Sequence, residues 1–478
     1  MRKNLSLAGS ARNDYFLLMI SCGAIMLLFA CKNPSPSSGN VPWSDYVRID
    51  TSYPAPDPNK QLVVWLKPGS TGVDFKHWLD SVNRVLGNIQ ISNMCNDCDD
   101  SLFMITGPGA ELYIMGQTAG GGSGCTGTRC GPSGEDGPVL YSINFDMESN
   151  DYIQDSLHFA DKTIPAYTRQ PVVVGIFDTG IDPLTFNSYF YSSSVSSCVV
   201  NPGANTNSGW NFVSQNSNWA DDYPSKHGTQ VTGFVVDQSM KFRQNSVNIL
   251  PIKIHDHNGH AGLFNVLCAF AYASNRGARI INASFGYYAA KPKPSSQYPD
   301  SCALLIKAFV KKYTTDRGIL LIAAAGNSGN TYEDTCRAFV GLDKRNLDQV
   351  GFYPASLGAD TNFRNVMAVT TVDTRSSRVS PRQNYSPNVV DIGVQADTVD
   401  GELFLFIKPR LNAGFRSTVE GSSFATPIVT GIIASHYFKL DGLPADKSII
   451  IATLRSLGLA ESNPAFVSKI KNGIIMHK

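Results

Sequence analysis

The chain has 478 residues, with 40 Lys+Arg against 39 Asp+Glu and a formal net charge of +1. That balance excludes the basic footprint of a nucleic-acid binder and the acidic composition of a solvating tail. Hydrophobic residues make up 42% and charged residues 17%, the latter low against a typical ~25%, so uncharged Ser, Asn and Thr must cover much of the surface. The length predicts two or three domains, and with neither heptads nor a fixed repeat the pattern argues against coiled coils and solenoids.

Residues 1–14 carry Arg2, Lys3 and Arg12. Residues 15–30 follow as an uncharged, mostly apolar run, shorter than the ~20 residues of a membrane span. Basic region, apolar region and small residue together read as an export signal over residues 1–30. The run ends Leu28-Phe29-Ala30-Cys31, which resembles a bacterial lipoprotein cleavage box and implies a lipid on Cys31. Plain secretion and an uncleaved anchor are the alternatives. Residues 31–44, rich in Pro and Ser, predict a flexible linker.

Export makes the cysteines legible. Ten are present, and eight remain after Cys22 and Cys31, an even number that predicts disulfides in an oxidising compartment. Cys95/Cys98 and Cys125/Cys130 are each close enough in sequence to bridge a small loop, and Cys302 and Cys336 are placed at one sheet edge. Cys268, amid apolar residues, reads as a buried free thiol. No second Cys-x-x-Cys and no fitting His pair supports zinc.

Residues 45–150 predict a small α+β domain. Residues 61–67 (QLVVWLK) read as a strand, and 74–86 as a helix from the spacing of Phe75, Trp78, Leu79, Val82 and Leu86. Short strands are predicted at 89–92 and 102–106, then a Gly-rich stretch, 116–137, too loose for a core. Residues 151–478 change to strand–helix alternation. Apolar strands are predicted at 172–177, 249–254, 279–283, 319–324 and 366–370, and helices at 228–238, 263–275, 302–313 and 445–457. Near-continuous apolar strands argue a parallel sheet covered on both faces, an α/β fold whose sites lie at the carboxyl ends of the strands.

Those ends carry the informative residues. Asp178-Thr179-Gly180 closes the first strand, a pattern that also serves as a simple Asx turn. An aspartic-protease reading needs a second such carboxylate, and the chain has no other Asp-Thr-Gly or Asp-Ser-Gly. His227-Gly228-Thr229 opens a helix, where the dipole disfavours the cation and keeps imidazole a neutral base. Ala323-Ala324-Ala325-Gly326-Asn327 ends a strand in an amide able to donate to an oxyanion, or in a turn Asn. Gly421-Ser422-Ser423-Phe424-Ala425-Thr426-Pro427 opens a helix, with Pro427 near its start and two serines, one able to cap while the other reacts.

Taken together, in the order Asp, His, Asn, Ser, these elements resemble the subtilisin-like serine proteases (subtilases), whose triad runs Asp…His…Ser. The spacings fit: His227 lies 49 residues after Asp178, and Ser423 lies 196 after His227. The resemblance covers residues 165–440. It implies a three-layer α/β/α parallel sheet preceded by a propeptide-like domain at 45–150. It implies Ser423 as nucleophile, His227 as general base, Asp178 as its orienter and Asn327 as oxyanion donor. Ser284, Phe285, Gly286 and Ala324, Ala325, Gly326 match the segments that line the main side-chain pocket. Their small residues leave room for a sizeable substrate side chain, which Phe285, Tyr287 and Tyr288 are placed to narrow. Gln230, Thr232 and Asp391-Ile392-Gly393 depart from the usual family residues. No metal is assigned; a calcium loop has no room after the His helix, and calcium elsewhere is left open.

The function implied is a serine endopeptidase, exported to the cell envelope as a lipoprotein, expected at the outer membrane, or secreted. Its partners are protein or peptide substrates, its own propeptide as inhibitor and a membrane reached through the lipid, with no nucleic acid. The alternative is a catalytically inert subtilase-like binding module.

Overall fold

The computed structural model describes residues 61–71, 73, 75–80, 90–92, 99, 101–106, 139–144, 146–148, 171–192, 209–242, 246–290, 301–327, 343, 345–409, 417–437 and 445–478. The export signal, Cys31, the linker 31–44, the Gly-rich stretch and the Cys95, Cys98, Cys125, Cys130 and Cys336 positions lie outside the described residues, as does the side chain of Cys302.

Four strands form the first unit: β1 (Gln61–Leu66), β2 (Gln90–Ser92), β3 (Leu102–Thr106) and β4 (Val139–Ile143). They pair antiparallel in the order β2-β3-β1-β4. All six β1 residues are buried because both faces of the strand are covered. Leu62, Val64 and Leu66 pack with Phe75, Trp78 and Phe103. Val63 and Trp65 belong instead to the core of the larger unit.

The larger unit alternates strand and helix. In chain order its first strands are β5 (Asp146–Glu148), β6 (Val172–Asp178), β7 (Trp210–Asn211), β8 (Val247–Lys253), β9 (His260–Gly262) and β10 (Ile280–Ala283). Next come β11 (Tyr287–Ala290), β12 (Leu320–Ala324), β13 (Val350–Tyr353), β14 (Val366–Asp373), β15 (Arg378–Val379) and β16 (Val390–Gln395). The last are β17 (Thr398–Asp400), β18 (Leu403–Ile407), β19 (Thr418–Glu420), β20 (Ala460–Ser462) and β21 (Ile474–Met476). The helices are α1 (His227–Phe242), α2 (Leu263–Asn275), α3 (Ser301–Tyr313), α4 (Ser422–Ser435) and α5 (Lys447–Ser456).

The main sheet runs β20-β21-β16-β14-β12-β10-β6-β8-β7, with β15 on β14. It is parallel from β7 to β21. Alternate residues of one strand serve opposite faces. On β6, Phe177 packs with α2 and α3, while Val174 and Ile176 pack with α1 and α4. The result is the expected three-layer α/β/α fold.

One expectation needs correction and one is extended. Beyond the helix expected at 445–457, present as α5, β21 adds a parallel strand beside β16 and β20 pairs antiparallel with β21. Cys268 is fully buried as its apolar setting requires, but it is disulfide-bonded rather than free.

Candidate active site

Parallel pairing of β6, β10 and β12 brings their carboxyl ends to one edge, the usual place for a site in such a sheet. Asp178 ends β6 and is 1% exposed. Its backbone carbonyl accepts from the Ile254 N–H at 2.9 Å, which fixes the strand end to the segment after β8. Its Oδ1 accepts from the Thr179 N–H at 2.7 Å and lies 2.6 Å from Nδ1 of His227.

His227 is the first residue of α1 and fully buried. Gly228 makes the approach sterically feasible. A Cβ there would stand 2.1 Å from the Gly180 carbonyl oxygen and 2.9 Å from the Asp178 Cβ, so only glycine lets the helix start press against the strand end. A polar brace holds the two elements together. Asp221 accepts from the Thr179 hydroxyl at 2.9 Å and from the Thr229 hydroxyl at 2.7 Å and N–H at 3.0 Å. The Thr179 hydroxyl in turn accepts from the Gly228 N–H at 2.9 Å. Burial raises the Asp221 carboxyl above its ordinary pKa against these hydrogen bonds.

Ser423 is the second residue of α4 and 6% exposed. The two serines of the motif separate by role. The Ser422 hydroxyl accepts from the Gly326 N–H at 3.0 Å and donates to Asn327 Oδ1 at 3.2 Å. The Ser423 backbone is held from below instead: its carbonyl accepts from the Ser284 hydroxyl at 2.8 Å, which accepts from Asn282 at 2.9 Å. Thr430, two turns along α4, donates to the same Asn282 side chain at 2.9 Å. Among the described residues the Ser423 hydroxyl has no hydrogen-bond partner. Its neighbour Phe424 packs on His227 with ring centroids 5.4 Å apart. Gly431 brings the two helices close, since a Cβ there would meet the Val235 carbonyl oxygen at 2.6 Å.

Asn327 follows β12. Its Oδ1 accepts from the Ser422 N–H at 3.0 Å, so the amide is turned with its acceptor end on the α4 N-terminus and its NH2 on the opposite end. Ser284, Phe285 and Gly286 follow β10, and Ala324, Ala325 and Gly326 end and follow β12. Phe285 does not narrow the gap between these segments. It is buried against His255, ring centroids 5.5 Å apart. Tyr288 donates its hydroxyl to the Asn327 carbonyl at 2.9 Å, and burial pushes its pKa up to about 12.

Asp221, Asn282 and His255 are the neighbours that sequence reasoning missed. Asp221 and Asn282 each join a near neighbour, Thr229 or Ser284, to a distant one, Thr179 or Thr430, and only the distant contact ties them to the site. Both ring nitrogens of His255 lack partners among the described residues, and burial pushes its pKa down to about 4. No group of three or more His, Cys, Asp or Glu among the described residues is arranged to hold a metal ion.

The sequence profile of the Subtilase family matches residues 169–456. Subtilisin-like protease 3 of Plasmodium falciparum (isolate 3D7) is 26% identical over 215 residues, 43% of this chain and 24% of that protein. A thermophilic serine proteinase of Bacillus sp. (strain AK1) is 25% identical over 218 residues, 44% of this chain and 42% of that protein. The chain thus spans less than half the length of either relative. Among solved structures, an epidermin leader peptide processing serine protease from Staphylococcus aureus shares the fold with a TM-score of 0.53. The two are 16% identical, and the match covers 87% of this chain and 97% of the other. The profile spans more than half of the chain and takes in Asp178, His227, Asn327 and Ser423, and the chain belongs to the subtilase family.

Proposed function

We propose that the chain is a serine endopeptidase that hydrolyses peptide bonds through Asp178, His227 and Ser423. The observation that carries this reading is the 2.6 Å contact between Asp178 and His227, both buried, beside the helix start that bears Ser423. Ser423 Oγ attacks the scissile carbonyl while His227 takes its proton. Asp178 holds the Nδ1–H tautomer and stabilises the imidazolium that forms. Asn327 Nδ2 and the Ser423 backbone N–H donate to the oxyanion. His227 then protonates the leaving amine, and water releases the acyl group by the reverse sequence.

Residues 45–150 act in this reading as an inhibitory propeptide. Its sheet docks on α3, with Trp65 edge-on to Phe309 at 5.2 Å. Asp99 accepts from Trp65 at 3.1 Å, Tyr313 at 2.7 Å and Lys312 at 2.8 Å. At the C-terminal end of this segment β5 pairs antiparallel with β9, Asp146 opposite Gly262 and Glu148 opposite His260, a strand-addition contact of the kind peptides make. Cleavage near residue 150 would free that edge. Export, a lipid on Cys31 and an envelope location complete the proposal, resting on the sequence of residues 1–31.

The test is labelling with a fluorophosphonate and mapping the tagged residue, with the N-terminus recorded in the same run. A tag on Ser423, lost in Ser423→Ala together with hydrolysis, is expected. A processed protein that takes no tag would support the inert binding module instead.

A further inference from the structure

The gap between the segments after β10 and β12 is already occupied by a side chain of this protein. A Cβ built on Gly286 would stand 2.4 Å from Cε1 and 2.6 Å from Cζ of Phe352. A Cβ built on Gly326 would stand 2.9 Å from Cε2 and from Cζ of the same ring. The tip of the Phe352 ring is therefore wedged between the two glycines, where neither presents a side chain. The gap reaches the reactive serine, because Ser284 holds the Ser423 carbonyl at 2.8 Å and the Gly326 N–H holds the Ser422 hydroxyl at 3.0 Å.

Phe352 is not loosely placed. It lies on β13, paired with β11 so that Phe352 faces Tyr288. Its N–H donates to the Ser356 hydroxyl at 2.9 Å, and the Tyr288 ring meets it edge-on at 4.9 Å. Asn384 seals the side behind Gly326, donating to the Ala325 carbonyl at 2.7 Å, with its Oδ1 3.0 Å from the Tyr288 hydroxyl, whose one proton it shares with the Asn327 carbonyl. The ring is 4% exposed, and swinging it out would break packing on three sides.

We propose that Phe352 fills the side-chain pocket beside Ser423 and restricts the enzyme to substrates with a small residue, Gly, Ala or Ser, on the acyl side of the scissile bond. This rests on the peptidase reading above. The short side chains after β10 and β12 predict a roomy pocket from sequence; Phe352, distant in sequence, takes that room. A Phe or Leu side chain would have to displace a packed ring, whereas a methyl or hydroxymethyl group needs only the mouth of the gap.

The processed protein is assayed with fluorogenic peptides that differ only in the acyl-side residue, Ala or Phe, after active sites are counted by fluorophosphonate labelling. For the native protein kcat/KM with Ala is expected to exceed that with Phe by about 10²-fold or more, the scale on which pockets discriminate by size. In Phe352→Ala, and less in Phe352→Leu, the Ala-to-Phe ratio is expected to fall by at least about tenfold per counted site. A native protein that labels normally yet prefers Phe overturns the inference, as does an unchanged ratio in variants that label. Failure of Ser423 to label in the native processed protein overturns the peptidase reading itself, and this inference with it.

Discussion

Nδ1 of His227 lies 2.6 Å from Oδ1 of Asp178, while the second oxygen of that carboxylate is buried without a partner among the described residues. Both contacts of the carboxylate, the His227 ring and the Thr179 N–H at 2.7 Å, fall on the one oxygen Oδ1. Asp178→Asn keeps the shape but supports the wrong imidazole tautomer. On the peptidase reading turnover is expected to fall about 10⁴-fold, the scale seen when serine proteases lose this group, with kcat and kcat/KM falling together. Steady-state kinetics against urea unfolding will separate this from a folding defect.

Gly228→Ala places a methyl 2.1 Å from the Gly180 carbonyl oxygen, so α1 must back away from β6. Overpacking of this kind costs about 1–3 kcal/mol. A shift of His227 by an ångström is expected to lower kcat/KM by about 10²-fold. Activity should therefore fall further than the melting temperature suggests, measured by kinetics and calorimetry on one preparation.

His255 gives stability a pH dependence with a defined sign. Its ordinary pKa is 6.5, and burial pushes it down to about 4 in the folded protein. Protonation then favours the unfolded chain. The contribution is full above pH 6.5, declines as pH falls from 6.5 toward 4, and is lost below that. A gap of this size corresponds to about 3 kcal/mol. Urea unfolding from pH 7.5 to 4 should show a shallower decline for His255→Phe than for the native protein. Parallel curves would refute the assignment.

Lys447 lies 2.8 Å from Asp391, and both are buried. Asp391 also accepts from the Ala368 N–H at 3.0 Å, tying α5 to the sheet between β14 and β16. Burial raises the Asp391 pKa and lowers that of Lys447, so each charge depends on the other. Lys447→Met leaves a buried carboxylate without its counter-charge and is expected to destabilise by about 3–5 kcal/mol. The double variant Lys447→Met/Asp391→Leu should recover part of the loss in urea unfolding.

The departure at Asp391-Ile392-Gly393 was visible in the sequence, but its reason was not. Asp391 and Gly393 interrupt the apolar run of β16, which hid the strand from a reading based on hydrophobic pattern. The carboxylate serves a lysine 56 residues away. Likewise β21 shows no marked strand pattern and exists by pairing with β16. By contrast, β3 and α2 match the expected bounds, because an apolar run and helical periodicity are local signals.

The sequence alone determined the α/β alternation and the strand ends and helix starts that carry Asp178, His227, Asn327 and Ser423. Each of these follows from short-range chemistry, the apolar period and the helix-start residues, whereas the need for glycine at 228 comes from the tertiary approach of α1 to β6. Tertiary structure decided which partner each polar group meets. It gave Ser422 to the Gly326 N–H and Asn327, assigned Asp221 to brace two threonines, and laid Phe352 into the gap between Gly286 and Gly326. Apart from Asp221 with Thr229, those choices join positions tens of residues apart, and the composition of neither segment encodes the distance between them. They are set only when the parallel strands close and the chain between them has to pack.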